Sequence, residues 1–191
     1  MKVKGPRGLY IDPLLSESQL GEVTIDLRLG TDFLVSVVTR RPSIDSAQRP
    51  EQSRGIASYF RSTRRELGDK FVLYPSQVVL GTTLEYVGLP DDVYADIISR
   101  SSFSRLGIHH NTMIQPGFRG CIPLELFNHG NNPIELVVGG RLVQARLMEM
   151  TSSSRYQSAT ENRKYFGNVR PVISKAQHDP DLDTLTKLRE S

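Results

Sequence analysis

Two stretches of this 191-residue sequence combine residue types that can do chemistry. The first is Ser99-Arg100-Ser101-Ser102-Phe103-Ser104-Arg105-Leu106-Gly107, which follows an alternating apolar run and ends in a glycine able to stop a helix. If a short helix covers 101–106, Ser101 and Arg105 stand four residues apart and share a face. The backbone N–H groups opening such a turn, together with Arg100 and the hydroxyls of Ser101 and Ser102, make a cradle for an anion, with phosphate its natural guest. Taken in isolation, the same pattern equally describes a serine-capped surface turn with solvated arginines.

The second stretch runs from Gln115 through Pro116-Gly117 to Asn128 and reads as a turn feeding a strand. Period two places Ile122, Leu124 and Leu126 on one face and Pro123, Glu125 and Phe127 on the other. Flanked by Leu124, Leu126 and Phe127, the Glu125 carboxylate is expected to lose part of its water, the setting in which a carboxylate transfers protons well. A strand glutamate taken alone is more commonly solvated. His109 and His110 invite a metal or proton-shuttle reading. Neighbouring side chains on extended backbone point opposite ways, so the pair is not expected to share an ion, and both histidines are expected to be exposed.

The elements that must carry these residues are strands. Apolar residues alternate with polar ones at Ile25–Leu29, 33–38, 71–74, 78–86, 93–98, 122–127, 134–138 and 142–148. Turn signals separate them, among them Pro75-Ser76, Leu89-Pro90-Asp91-Asp92 and His129-Gly130-Asn131-Asn132-Pro133. Many short strands at such spacing predict an all-β sandwich, jelly roll or barrel over 1–150. Two segments break the rhythm. Arg40 to Asp69 is rich in arginine and poor in apolar residues, so it is expected to be a solvated excursion, with the guiding of an anionic ligand as the sharper alternative. From Thr151 a polar tail runs to Ser191, and Leu182, Leu185 and Leu188 suit a short helix over 181–189.

Composition bounds the partners. Twenty-four Lys and Arg against twenty-one Asp and Glu leave a formal charge of +3, which suits a phosphorylated ligand and falls short of a nucleic-acid footprint. The single cysteine, Cys121, excludes an intrachain disulfide and a cysteine-rich zinc site. No apolar run reaches the ~20 residues of a membrane helix, and Met1 to Pro6 do not lead into a signal-like stretch. A soluble, cytoplasmic protein without membrane or nucleic-acid partners is the expectation.

In their order and spacing, several of these segments resemble the superfamily of homotrimeric dCTP deaminases and dUTPases, and within it the deaminase branch. The likeness runs from about Ile11 to Asn168 and is carried by Thr24-Ile25-Asp26-Leu27-Arg28-Leu29-Gly30, by Phe71–Pro75 and Thr83–Pro90, by Arg100–Gly107 as the phosphate-binding helix, and by Ile122–Asn128 as the strand of the catalytic glutamate. The resemblance implies a distorted jelly-roll subunit of the dUTPase-like type. Three such subunits would share active sites at their interfaces and hydrolyse the exocyclic amine of dCTP to give dUTP and ammonia for dTTP supply. It implies that Glu125 is the catalytic acid/base, that Ser101 and Arg105 hold the water and charge, and that Arg100 and Ser102 contact phosphate. Gln115, Pro123 and Leu124 fall on substrate-binding positions. Gln115 replaces an aspartate that contacts the sugar and, in dUTPases, activates water. An amide cannot act as that base, which disfavours diphosphohydrolase chemistry. The segment 108–115, which in the family turns backbone groups toward the pyrimidine, is shorter here. Tyr156, Lys164 and Asn168, the last in place of a glutamine, fall in a C-terminal lid that closes over the nucleotide. No catalytic metal is implied, since zinc deaminases need more cysteines than one; Mg2+ enters with the triphosphate. Beside deamination, a non-catalytic nucleotide-binding protein and a dUTPase or bifunctional enzyme remain open.

Overall fold

Alternation produces strands because successive side chains leave a strand on opposite faces, so every second residue can enter a core. The computed structural model describes residues 3–4, 8–40, 43–47, 55–151, 165, 167–179 and 181–190. Among them twelve strands follow in order: β1 (Val3–Lys4), β2 (Tyr10–Asp12), β3 (Thr24–Arg28), β4 (Asp32–Ser36), β5 (Phe60–Arg64), β6 (Lys70–Leu73), β7 (Val78–Gly88), β8 (Val93–Ser99), β9 (Asn111–Ile114), β10 (Arg119–Phe127), β11 (Ile134–Val137) and β12 (Arg141–Glu149). Two helices, α1 (Ser101–Ser104) and α2 (Asp181–Glu190), accompany them.

The strands form three antiparallel sheets. One has the order β1-β2-β7-β4-β5, with β10 also paired to β7; the second has the order β3-β12-β8-β9; the third joins β11 to β6. The long β7 is the spine, since β10 runs along it from Val78 to Gly88 while β2 and β4 pair with parts of it. One apolar core gathers residues from every sheet, including Leu27, Phe33, Leu73, Ile97, Leu124 and Leu136. Each side chain of that size, once buried, contributes about 1.5–3 kcal/mol. Phe33 and Phe71 stack with ring centroids 4.1 Å apart and bind β4 to β6.

The structure departs from the sequence reading in three places and agrees with it at the C-terminal helix. The arginine-rich excursion over 40–69 is not all loop. Its last third contains β5, an edge strand paired to β4, introduced by a 3-10 turn over Ile56–Tyr59 whose Ile56 and Tyr59 are buried. An edge strand needs few apolar residues, which is why Phe60-Arg-Ser-Thr-Arg carries no clear alternation. The short β2 and β9 give too few residues for a period to register. The helix expected over 101–106 closes at Ser104, and Leu106 and Gly107 continue it only as turns onto Phe103 and Ser104. The C-terminal helix forms over Asp181–Glu190, with Leu185 and Leu188 exposed.

Gly107 ends that helical turn at φ +97°, and its neighbour Ile108 donates to the Phe103 carbonyl at 3.1 Å, a glycine cap in which a left-handed residue is required. A Cβ there would also lie 2.7 Å from the Gly130 backbone nitrogen. A buried carboxylate organises the other end of the site's sheet. Glu85 on β7 has no exposed surface, and it accepts from Gln19 Nε2 at 2.8 Å and from the Arg28 backbone N–H at 2.9 Å. The Arg28 side chain in turn donates to Gln19 Oε1 at 3.0 Å. Desolvation outweighs these bonds and pushes the Glu85 carboxyl above the usual value of 4.5.

Two outcomes follow. Gly107→Ala is expected to lower unfolding stability by about 1–3 kcal/mol in urea titration, because the left-handed backbone and the contact with Gly130 are both penalised. A neutral loss would mean that the turn is not held as described. Because Glu85 prefers its proton in the folded state, the stability it supports is present below 4.5 and is lost as pH rises through the raised value. Urea unfolding between pH 4.5 and pH 8 should therefore show wild type losing stability relative to Glu85→Gln; parallel curves would contradict the burial effect.

Candidate active site

Glu125 stands on β10 just beyond an irregularity in that strand's pairing with β7. The pairing with β7 slips between Cys121 and Pro123, where Ile122 alone stands opposite three residues of β7, Thr83 to Glu85, so the extra residues of the bulge belong to β7. The Ile122 N–H at the bulge is satisfied by the Thr83 hydroxyl at 2.9 Å. Beyond it strict alternation resumes, with Leu124 and Leu126 buried and Glu125 exposed. Leu124 thus turns its side chain into the core, leaving only its backbone to any ligand, while Pro123 is half-buried on the face of Glu125.

The expectation that Glu125 is shielded by neighbouring leucines does not hold in the single chain, where its side chain is 60% exposed. Leu124 and Leu126 point away through the sheet, so only Pro123 and Phe127 share its face. His110 was expected to be exposed and is not: its side chain is 2% exposed. Its Nδ1 lies 3.5 Å from the Glu125 carbonyl oxygen and 3.7 Å from Glu125 Oε2. Burial pushes the imidazole below its usual value of 6.5, with the Glu125 charge opposing in part, so the ring is neutral at pH 7. His109 does face outward, edge-on to His129 at 5.6 Å.

His110 also joins Glu125 to the serine-arginine turn. Its backbone N–H donates to Ser99 Oγ at 2.6 Å and its carbonyl accepts from the Ser99 N–H at 3.0 Å, one residue before Arg100. Arg100 caps α1 and is half-buried against Asp26, its Nη2 3.5 Å from Oδ2. Asp26 is itself buried and also receives Arg141 at 3.5 Å and Gln144 Nε2 at 3.2 Å. Ser101, Ser102 and Arg105 are exposed, and the Arg105 N–H bonds the Ser101 carbonyl at 3.1 Å, which puts both residues on one helical turn. Among the described residues, no hydrogen bond or ion pair joins Glu125 to Ser101 or Arg105 within the chain.

Gln115 is exposed, and its carbonyl accepts from the Phe118 N–H at 3.3 Å, shaping the turn into β10. Asn168 approaches the start of β10 through its backbone: its carbonyl accepts from the Cys121 N–H at 2.9 Å while the Gly167 N–H donates to the Arg119 carbonyl at 2.7 Å. This approach needs Gly120, whose φ is +148° and whose Cβ, if present, would stand 2.8 Å from the Asn168 oxygen. Tyr156 and Lys164 lie outside the described residues. Cys121 is buried, and burial with the nearby Glu85 charge lifts its thiol to about 11, so it carries no thiolate chemistry at neutral pH.

The arginine-rich segment ends elsewhere. Arg61, Arg65 and Lys70 rim an open hollow of about 460 Å3 floored by Val35, Val37 and Val72, and Lys70 is paired with Glu135 at 2.6 Å. Among the described residues no group of three or more His, Cys, Asp or Glu is placed to hold a metal ion. None of the described helices is long and apolar enough to cross a membrane.

The residues brought together by sequence position alone are thus Arg100, Ser101, Ser102 and Arg105; the fold adds His110 to Glu125 and Asp26 to Arg100. Neither pairing had a sequence signal: Asp26 and Arg100 are far apart in the chain, and His110 and Glu125, 15 residues apart, meet only once β9 and the turn into β10 have formed.

The sequence pattern of dCTP deaminase-like proteins matches residues 5–150. A relative from Methanobrevibacter smithii, named dCTP deaminase, dUMP-forming, is 37% identical over 91% of this chain and 90% of its own length. One from Haloarcula marismortui, named dCTP deaminase, is 38% identical with the same coverage. The solved structure of 2'-deoxycytidine 5'-triphosphate deaminase from Agrobacterium tumefaciens shares the fold with a TM-score of 0.55 and 24% identity, over 73% of this chain. This chain spans only 43% of that protein's length. A sequence match from β2 to β12, agreeing with relatives along nearly their full length, makes this chain a member of the dCTP deaminase-like family.

Proposed function

We propose that the protein hydrolyses the exocyclic amine of dCTP, releasing ammonia and dUTP, and does so as a homotrimer. The observation that carries the reading is Glu125, a carboxylate displayed beside a buried neutral imidazole on β10 of a chain whose relatives are named dCTP deaminases. Glu125 takes a proton from water as the water oxygen bonds C4, and delivers it to the ring nitrogen N3. The new C4 hydroxyl then gives up its proton by way of Glu125 to the amine, the C4–N bond breaks, and ammonia leaves as the C4 carbonyl forms. Atoms balance as dCTP plus water giving dUTP plus ammonia.

Ser101 and Arg105 hold the attacking water and the developing charge, an electrostatic task for groups fixed in advance. Arg100 and Ser102 contact the phosphates, Arg100 being already oriented by Asp26. Gln115, Pro123 and the Leu124 backbone border the nucleoside, and Tyr156, Lys164 and Asn168 belong to the segment that covers it. The step at C4 uses no metal ion; Mg2+ accompanies the triphosphate. Such an enzyme works in the cytoplasm, where its nucleotide substrates are made.

A second product is favoured by one observation: several relatives, those from Methanobrevibacter smithii and Rhodococcus opacus among them, are named dUMP-forming. The amide of Gln115 cannot serve as a base toward a phosphate. For that reason the reading stops at dUTP, and pyrophosphate in the reaction mixture would extend it to dUMP.

Purified protein given dCTP and Mg2+ should release ammonia with loss of cytosine absorbance, and Glu125→Gln should lower kcat by about 1,000-fold or more while nucleotide binding persists. Wild type without turnover at high enzyme concentration would defeat the reading, and an active Glu125→Gln would remove that residue from the chemistry. The sites shared between subunits are tested by mixing. Light scattering should give three times the 21.4 kDa chain mass. Co-expressed Ser101→Ala and Glu125→Gln chains, each inactive alone, should regain about a quarter of wild-type activity if every site draws the two residues from different subunits. No recovery would place both residues of a site on one chain.

A further inference from the structure

We infer that His110 is a positioning residue for Glu125: its Nδ1–H holds carboxylate oxygen Oε2, so that Oε1 is the oxygen that takes up and delivers protons. This deepens the proposed deamination and rests on it.

Nδ1 faces two oxygens of the same residue, the Glu125 carbonyl at 3.5 Å and Oε2 at 3.7 Å. A bare Nδ1 would set its lone pair against both acceptors, whereas an N–H there serves both. Nε2 is buried and has no partner among the described residues. A proton on Nε2 would leave a buried donor unmet as well as an unmatched Nδ1, so the geometry selects the tautomer with its proton on Nδ1. Burial disfavours a second proton, which keeps the ring a neutral donor and leaves the charge on Glu125.

The imidazole cannot turn away from this task. Its backbone is tied on both sides to Ser99 at 2.6 and 3.0 Å, and its side chain is enclosed. Glu125, by contrast, is an open side chain with rotamer freedom of its own. A fixed donor beside a free carboxylate therefore orients it, and hydrogen bonds at catalytic groups commonly lie long before substrate is bound and tighten afterwards. A carboxylate that must accept and return a proton within one turnover needs one oxygen kept out of the exchange. Nδ1–H does this for Oε2, and it also steadies the carboxylate form that begins the cycle.

The test compares substitutions that keep or remove the donor. The amide of Asn overlays Nδ1, that of Gln overlays Nε2, and Phe keeps the ring without either nitrogen. With folding checked by circular dichroism and thermal unfolding, kcat and KM for dCTP are measured for each. His110→Phe and His110→Gln should each lower kcat by about 10- to 100-fold with KM little changed, while His110→Asn should stay within about threefold of wild type. Where the Phe variant does not fold, the Gln and Asn pair decides alone. Equal losses in Asn and Gln, or losses in KM rather than kcat, would overturn the positioning role. Wild type without turnover would defeat the deaminase reading and this inference with it; an active wild type with indistinguishable variants would defeat this inference only.

Discussion

Inside β7 a hydroxyl and a carboxylate stand two residues apart where water does not reach, and most of the site's geometry follows from how they are satisfied. The Thr83 hydroxyl donates to the Glu85 carbonyl at 2.8 Å and accepts from the Ile122 N–H at 2.9 Å. The Glu85 carboxylate ties Gln19 and the backbone of β3. A buried polar group left unpaired costs about 1–3 kcal/mol, and more for a charged one, so neither residue tolerates a shift of its partners. The β7 bulge opposite Ile122 is thereby pinned, while Gly120, Ile122, Leu124 and Leu126 keep one unbroken buried parity along β10. Glu125 faces outward by that same alternation, and Thr83 captures the Ile122 N–H that the ladder does not use.

Two opposite electrostatic strategies meet around this frame. Asp26 gathers Arg100, Arg141 and Gln144, so that a buried anion on β3 holds a guanidinium at the start of α1. Arg105 is left exposed on the same turn. The pairing orients Arg100 without burying it fully, which leaves positive potential at the helix opening while removing the entropy of a free side chain. On β10 the arrangement is reversed: the charge is on the exposed Glu125 and the buried partner, His110, is kept neutral.

The strand content was legible because alternation is a local property. Ile25–Leu29, 122–127 and 142–148 each carry enough residues for period two to stand out, and each forms as expected. β5 was hidden among arginines because an edge strand presents one face and one row of backbone groups to water, so its composition resembles a loop. The serine-arginine turn was visible as a contiguous motif. What the sequence could not display is adjacency across sheets. His110 looked like a loop residue until the pairing of β8 with β9 and of β10 with β7 brought it against Glu125. The reverse error concerned Glu125, whose leucine neighbours in sequence lie on the far side of the sheet in space.

The open side of Glu125 decides how the proposed reaction is kept from bulk water. A proton-transferring carboxylate works best where water is excluded and nearby dipoles act at low dielectric, yet the fold of one chain leaves Glu125 open on one side. β10 cannot close that side, because its own apolar residues are committed to the core. The cover must come from elsewhere, and two sources are in reach. The backbone of Gly167 and Asn168 is already bonded to Arg119 and Cys121, at the start of the strand that bears Glu125. Ser101 and Arg105, unbonded to Glu125 within the chain, are available to a neighbouring copy. In the proposed trimer each chain supplies a fixed imidazole and an open carboxylate, and its partners supply the walls that make the carboxylate useful.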